Sequence, residues 1–144
     1  MLVNDDCIFC QIVAGASPVS VVYRDDLVIA FMDTRPVNPG HLLVIPLVHA
    51  TYLADVDEPA GMRMFGAAQR MAQAVRDSSV RSEGVNLHLA DGVAAGQEVF
   101  HVHLHVIPRF DGDPAIFTAD WGAPPSRTEL DTVAQDIREG MTEV

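Results

Sequence analysis

The sequence predicts an α+β domain: an antiparallel sheet of about five strands, one long helix and short terminal helices. Three observations carry this. Short apolar or alternating runs at residues 19–23, 27–32, 41–46, 84–91 and 99–108 have strand length and strand patterning. One longer stretch, residues 58–78, keeps helical spacing through Met62, Phe65, Ala68, Met71, Ala72 and Val75. The first two strands are separated only by Arg24-Asp25-Asp26, a turn that makes them a hairpin.

The elements follow in order. Residues 6–14, DCIFCQIVA, set Ile8, Phe9 and Ile12 on one side of a short helix. After the hairpin, residues 33–40 hold two prolines and a glycine, which fix a loop. HLLVIP at residues 41–46 is apolar nearly throughout and reads as a buried central strand. Asp57 suits the N-cap of the long helix, with Pro59 in its first turn. GVNLHLAD at 84–91 and the run 99–108 are the last two strands, with a turn at Gly92. Residues 112–125 read as irregular. Ser126-Arg127-Thr128-Glu129 is a capping box that opens a C-terminal helix over residues 129–139.

The chain has 144 residues, enough for one domain. The core spans about 7–110, and residues 111–144 form a tail with a helix. Apolar residues make up 49% and charged ones 20%, a globular composition. No apolar run approaches the roughly 20 residues of a membrane helix. The first ten residues lack a basic start and a long apolar stretch, so the expected location is the cytoplasm, with no membrane partner. A formal charge of −11 repels polyanions and argues against nucleic-acid binding. A small anionic ligand remains compatible, because local donors dominate within a Debye length of about 8 Å.

The most informative stretch is AGQEVFHVHLHVIPR, residues 95–109. In a strand His101, His103 and His105 share one face, and Val102, Leu104 and Val106 share the other. The apolar face packs on the core, so the histidines meet solvent or a site. Three readings compete. Two histidines at i and i+2 can chelate zinc, but three span about 13 Å, too far for one ion. A solvated polar face is the plain alternative. The third is catalysis, since a neutral imidazole is a good nucleophile near pH 7 and a neighbour can supply protons. Cys7 and Cys10, spaced C-x-x-C, read either as small half-buried hydrophobes or as half of a zinc site.

Three ordered blocks resemble the histidine triad (HIT) family of nucleotide hydrolases and transferases: CIFCQI, then FMDTRPVNPGHLLVIPLVH, then ADGVAAGQEVFHVHLHVIPR. Together they cover most of residues 7–109. The resemblance implies a HIT-like fold and cleavage at a nucleotide α-phosphate through a covalent nucleotidyl-histidine intermediate. The substrates it implies are AMP-like phosphoramidates or dinucleoside polyphosphates, and the VIPR ending leans toward the polyphosphate branches. His103 would be the nucleophile, and His105 would contact the phosphate and assist the leaving group. His101 would orient them, and His41 would bond into the cluster. Ile8, Phe9, Ile12, Phe31 and Met32 would form the nucleoside slot, which ordinary core packing also explains. Asp33 would take the ribose hydroxyls. Gly96, Gln97 and Glu98 would lie near the phosphates, with Gln97 as a donor. Cys7, Cys10, His49 and His101 would complete a structural zinc site.

The sequence departs from the family pattern at Ala90, where many members carry Asn or Gln, and at Glu98, where others carry Ser or Thr. His105 argues for water as final acceptor, because the transferase members tend to have Gln there. His88 reads as a surface or core-edge histidine. Trp121 either reaches across a dimer interface or caps its own domain. The resemblance implies a homodimer, and Met62, Phe65 and Met71 on the long helix suit one, although a monomer core would use them too. The competing functions are a nucleotide-binding regulator with little turnover, a related nucleotidyltransferase, and a zinc-stabilised interaction module.

Overall fold

The computed structural model describes residues 4–141; the outermost ends of the expected single domain, 1–3 and 142–144, lie outside the described residues. The elements are α1 (Ile8–Val13), β1 (Val21–Arg24), β2 (Val28–Met32), β3 (Leu42–Pro46), α2 (Glu58–Asp77), β4 (Gly84–His88), β5 (Leu104–Arg109) and α3 (Arg127–Gly140). Five strands form one antiparallel sheet in the order β1-β2-β3-β5-β4.

Local chemistry accounts for the boundaries. Asp25 makes the hairpin turn, its Oδ1 accepting from the backbone N–H of Leu27 (2.8 Å) and Val28 (2.9 Å). Asp57 caps α2 by accepting from the Ala60 N–H at 2.8 Å. The capping box at α3 is present in both directions: Glu129 N–H donates to Ser126 Oγ, and Ser126 N–H donates to the Glu129 carboxylate. None of α3's residues is buried. Trp121 is 80% exposed, so it does not cap its own domain.

The sheet is covered on both faces. Val28, Ala30, Leu42, Val44 and Val106 meet Met64, Ala68, Met71 and Val75 of α2 on one side. Ile29, Phe31, Leu43 and Ile45 meet Phe9, Ile12 and Val13 of α1 on the other. Two-sided burial is why HLLVIP carries no polar residue after its histidine. It also changes the expected surroundings of the histidines, because their face of the sheet has its own apolar roof.

The expected strand over 99–108 is shorter, beginning only at Leu104. The reason is Pro46. The β3–β5 ladder runs Leu42↔Val106, Leu43↔His105, Val44↔Leu104 and stops. Pro46 has no N–H to continue it, and its carbonyl lies 2.9 Å from His101 Nε2. Val102 N–H turns instead to the Ala50 carbonyl at 2.8 Å. Residues 99–103 therefore leave the ladder, yet Val102 still packs in the α2-side core, at 1% exposure. The expected strand over 84–91 likewise ends at His88. Among the described residues, no helix is long and apolar enough to cross a membrane.

Ile45, fully buried between β2 and α1, tests this two-sided core. Ile45→Ala should lower the unfolding free energy by about 2–5 kcal/mol in urea titration. Val22→Ala, at a position 48% exposed, should change it by less than about 0.5 kcal/mol.

Candidate active site

An open cleft of about 1240 Å³ lies where α1 stops covering the sheet and β5 and β4 continue. All six residues expected for the nucleoside, Ile8, Phe9, Ile12, Phe31, Met32 and Asp33, line it. Phe9 is its hinge point: its ring meets Phe31 edge-on at 5.6 Å and His103 at 5.2 Å between centroids. Asp33 is tied at one oxygen, where Oδ1 accepts the Arg35 N–H at 2.8 Å. Its Oδ2 lies 3.5 Å from His41 Nε2.

The loop before β3 delivers His41. Gly40 has φ +92, and a Cβ there would sit 2.7 Å from a Val80 methyl, so only glycine fits. Asn38 ties the loop to β5 by donating to the Pro108 carbonyl at 2.9 Å.

The hydrogen-bond partners set the imidazole tautomers. Val37 N–H donates to His41 Nδ1 at 2.9 Å, so neutral His41 carries its proton on Nε2. That Nε2–H donates to His105 Nδ1 at 2.8 Å. His105 then carries its own proton on Nε2. His103 Nδ1–H donates to the His101 carbonyl at 2.8 Å, which leaves the His103 Nε2 lone pair free. The carbonyl is available because residue 101 has left the ladder. One imidazole is thereby a free base beside another that is a proton donor, their rings 5.0 Å apart.

Burial supports the neutral forms. It pushes His105 down to about 4, helped by repulsion from His103, His41 and His88. It pushes His101 down to about 4 as well, and lowers His41 against the pull of Asp33.

His101 does not face the cleft. It is fully buried, and its Nδ1 lies 3.5 Å from Cys7 Sγ and 3.6 Å from Cys10 Sγ. Cys10 Sγ is 3.3 Å from His49 Nδ1. The four donor atoms all lie within 4.8 Å of one another. Zinc–sulfur bonds of about 2.3 Å and zinc–nitrogen bonds of about 2.0 Å imply tetrahedral edges of roughly 3.3–3.8 Å. The cluster is compatible with zinc. Each histidine's other nitrogen is also engaged, His101 by Pro46 O and His49 by Thr51 Oγ1 at 3.3 Å.

The phosphate-side residues divide. Gly96 and Glu98 line the cleft. Gln97 is buried, and its side chain has another task. Its Oε1 accepts from Gly92 N–H, and its Nε2 donates to the carbonyls of Thr51 and Val99. The amide expected to hold phosphate instead fixes the loop that carries Gly96. Ala90 is buried and presents only a methyl to the cleft. Several residues not expected from the sequence also line the cleft, His88 and Phe117 among them. His88 pairs with His105 across β4 and β5, and Phe117 folds back from the tail. The signal for His88 was its parity with Ala90 on the strand; Phe117 had none in local sequence.

Comparison with known proteins agrees with this geometry. The profile of the HIT domain matches residues 14–112. The chain belongs to the histidine triad family. An uncharacterized HIT-like protein of Borreliella burgdorferi is 44% identical over 110 residues, 75% of this chain and 78% of that protein. An adenylylsulfatase of Arabidopsis thaliana is 36% identical over 76% of this chain and 55% of its own length. The crystal structure of a zinc-bound histidine triad family protein from Mycobacterium smegmatis superposes with a TM-score of 0.75 at 37% identity, covering 95% of this chain and 99% of that one. The HIT fold and the family of this chain follow from these matches.

The neutral His105 has a consequence for stability. Its folded pKa of about 4 lies below the unfolded value near 6.5, so the unfolded chain binds the extra proton between those values. Stability should therefore fall as pH drops from about 6.5 to 4. His105→Gln should flatten that fall by on the order of 1–2 kcal/mol, after discounting for partial solvent screening, in denaturant titrations across the range.

Proposed function

We propose that this HIT protein is a nucleotidyl hydrolase. It binds a purine nucleotide and cleaves AMP-like phosphoramidates or dinucleoside polyphosphates at the α-phosphate. The observation that carries the reading is the His103 Nδ1–H bond to the His101 carbonyl, which leaves Nε2 free at the cleft wall.

The nucleoside enters between Phe9 and Phe31, with Asp33 accepting from the ribose hydroxyls. His103 Nε2 attacks phosphorus, and the bond to the leaving group breaks. The His105 Nε2–H hydrogen-bonds the leaving atom; an amine leaving group takes up its proton from solvent, and an oxyanion leaves without one. Water then attacks the nucleotidyl-histidine, the His103 Nε2–P bond breaks with its electron pair returning to Nε2, and the water proton is released to solvent. The His41–His105 bond holds that proton donor in its tautomer throughout. Ala90 favours one alternative, a nucleotide-binding regulator with little turnover, because its methyl supplies no phosphate donor.

A turnover assay separates the two. Wild type should hydrolyse adenosine phosphoramidate or diadenosine polyphosphates, and His103→Ala should lose at least roughly a hundredfold in kcat. Nucleotide binding without turnover by wild type would favour the regulator.

Zinc is proposed at Cys7, Cys10, His49 and His101, through two thiolates and two Nδ1 atoms. There it would act structurally, tethering α1 to the segment that carries the triad. Metal analysis of the purified protein should find about one equivalent of zinc. Cys10→Ser should lose the zinc and lower Tm, and a wild-type protein without zinc would remove the metal from the account.

The chain is further proposed to be a cytoplasmic homodimer. Met62 and Phe65 on α2 are 68% and 54% exposed, apolar surface that a second copy would cover.

A further inference from the structure

His41 is gripped twice by one short turn. Asn38-Pro39-Gly40-His41 has a proline and a positive-φ glycine at its centre, and it closes with His41 N–H donating to the Asn38 carbonyl at 3.1 Å. Val37, just before the turn, donates its own N–H to His41 Nδ1 at 2.9 Å. That second bond decides the state of two imidazoles.

The 2.8 Å contact between His41 Nε2 and His105 Nδ1 can be bridged by a proton in two ways. In the first, His41 Nε2–H donates to His105 Nδ1, and His105 carries its proton on Nε2. In the second, His105 Nδ1–H donates to His41 Nε2. His41 then carries its proton on Nδ1, and His105 Nε2 is a bare lone pair. The two arrangements hold the same number of protons and the same bond between the rings. The Val37 N–H separates them, because the second would set two donors against each other at 2.9 Å. Whether His105 Nε2 is a donor or an acceptor therefore depends on where the Val37 backbone sits.

That backbone is held from behind the cleft. Asn38 is buried, at 3% exposure. The β3–β5 ladder ends at Leu42 and Val106. Past that point Asn38 Nδ2 donates to the Pro108 carbonyl at 2.9 Å, so a side chain takes the place of a strand. The same nitrogen donates to Asp113 Oδ2 at 2.9 Å. Both partners accept, which sets the orientation of the amide.

Asp113 is itself firmly placed. Its side chain is 2% exposed and accepts from Arg109 Nε at 2.6 Å and Nη2 at 2.7 Å. It also accepts from the backbone N–H of Phe110 and Ala115. Arg109 reaches on to Asn86 Oδ1 at 2.7 Å and to the Ala115 carbonyl at 2.9 Å. Neither Asn38 nor Asp113 lines the cleft. Their polar groups are spent on one another and on the backbone, and the segment so fixed is the one that carries Val37.

We propose that Asn38 and Asp113 are positioning residues for this site: together they hold the Val37 N–H on His41 Nδ1 and so make His105 a hydrogen-bond donor toward the cleft. The consequence for turnover rests on the hydrolase reading, in which that N–H meets the leaving atom. The turn after β5 is thereby coupled to the chemistry without touching it.

The test reads imidazole tautomers by long-range ¹H–¹⁵N correlation at neutral pH, alongside kcat and KM on adenosine phosphoramidate or diadenosine tetraphosphate. Wild type should show His41 and His105 protonated on Nε2 alone. Asn38→Ala and Asp113→Ala should each add a second state with both protons on Nδ1. Their kcat should fall by about fivefold or more, with KM changed by less than about twofold, as partial loss of a preorganised donor gives. Asn86→Ala removes an Arg109 contact but leaves the Asn38–Asp113 bond, and it should keep the wild-type spectrum and kcat. Wild-type tautomers in either alanine variant at residue 38 or 113, or altered tautomers with unchanged kcat, overturn the assignment. If neither of those variants folds, hydrogen exchange of wild type decides: a slowly exchanging Val37 amide supports the assignment, and one that exchanges at the unprotected rate overturns it. Should wild type turn over neither substrate, the hydrolase reading fails by itself, and the tautomer spectra alone decide the positioning.

Discussion

The hydrogen bond from His103 Nδ1–H to the His101 carbonyl sets the chemistry of this protein. An imidazole free to exchange tautomers presents a lone pair at Nε2 only part of the time. At 2.8 Å from a backbone acceptor, His103 keeps its proton on the far nitrogen and its lone pair on the near one. The bond exists because the chain leaves the sheet at Pro46, which cannot donate to the next rung. The released carbonyl of residue 101 then serves the side chain two residues on. A backbone interruption in β3 therefore fixes which imidazole nitrogen carries a lone pair in the neighbouring segment.

The rest of the site follows from how the two sheet faces are covered. On one face α2 buries a large apolar cluster and keeps the sheet rigid. On the other, α1 is only six residues long and covers β2 and β3 but not the β5–β4 side. The uncovered part is the cleft. The Cys7–Cys10 pair at the start of α1 meets His101, so the same contact seats the roof and anchors the residue that aims His103. His101 thus acts from behind the site, through its carbonyl and through its ring.

Much of this was legible in the sequence. HLLVIP read as a buried central strand, and the caps at Asp57 and Ser126 marked two helices, because those signals are local. The six cleft-lining residues from Ile8 to Asp33 and the four metal-compatible ligands came from the ordered motif blocks. What was not legible depends on partners distant in sequence. The strand at 99–108 looked continuous, and only its pairing with Pro46 shortens it. Gln97 read as a phosphate donor because its carbonyl acceptors at Thr51 and Val99 belong to a loop closure that no spacing reveals. His88 reads in sequence as a surface or core-edge histidine, since its nearness to His105 arises from strand register. Phe117 lay in a stretch without periodicity, and Asp113 is what folds that stretch back.

The most direct measurement is a long-range ¹H–¹⁵N correlation spectrum of the imidazole nitrogens at neutral pH, with single His→Gln variants for assignment. The expected spectrum has His103 as the Nδ1–H tautomer, and His41 and His105 as neutral Nε2–H tautomers. A His103 ring protonated on Nε2, with Nδ1 bare, would contradict the account, because no lone pair would then face the phosphorus.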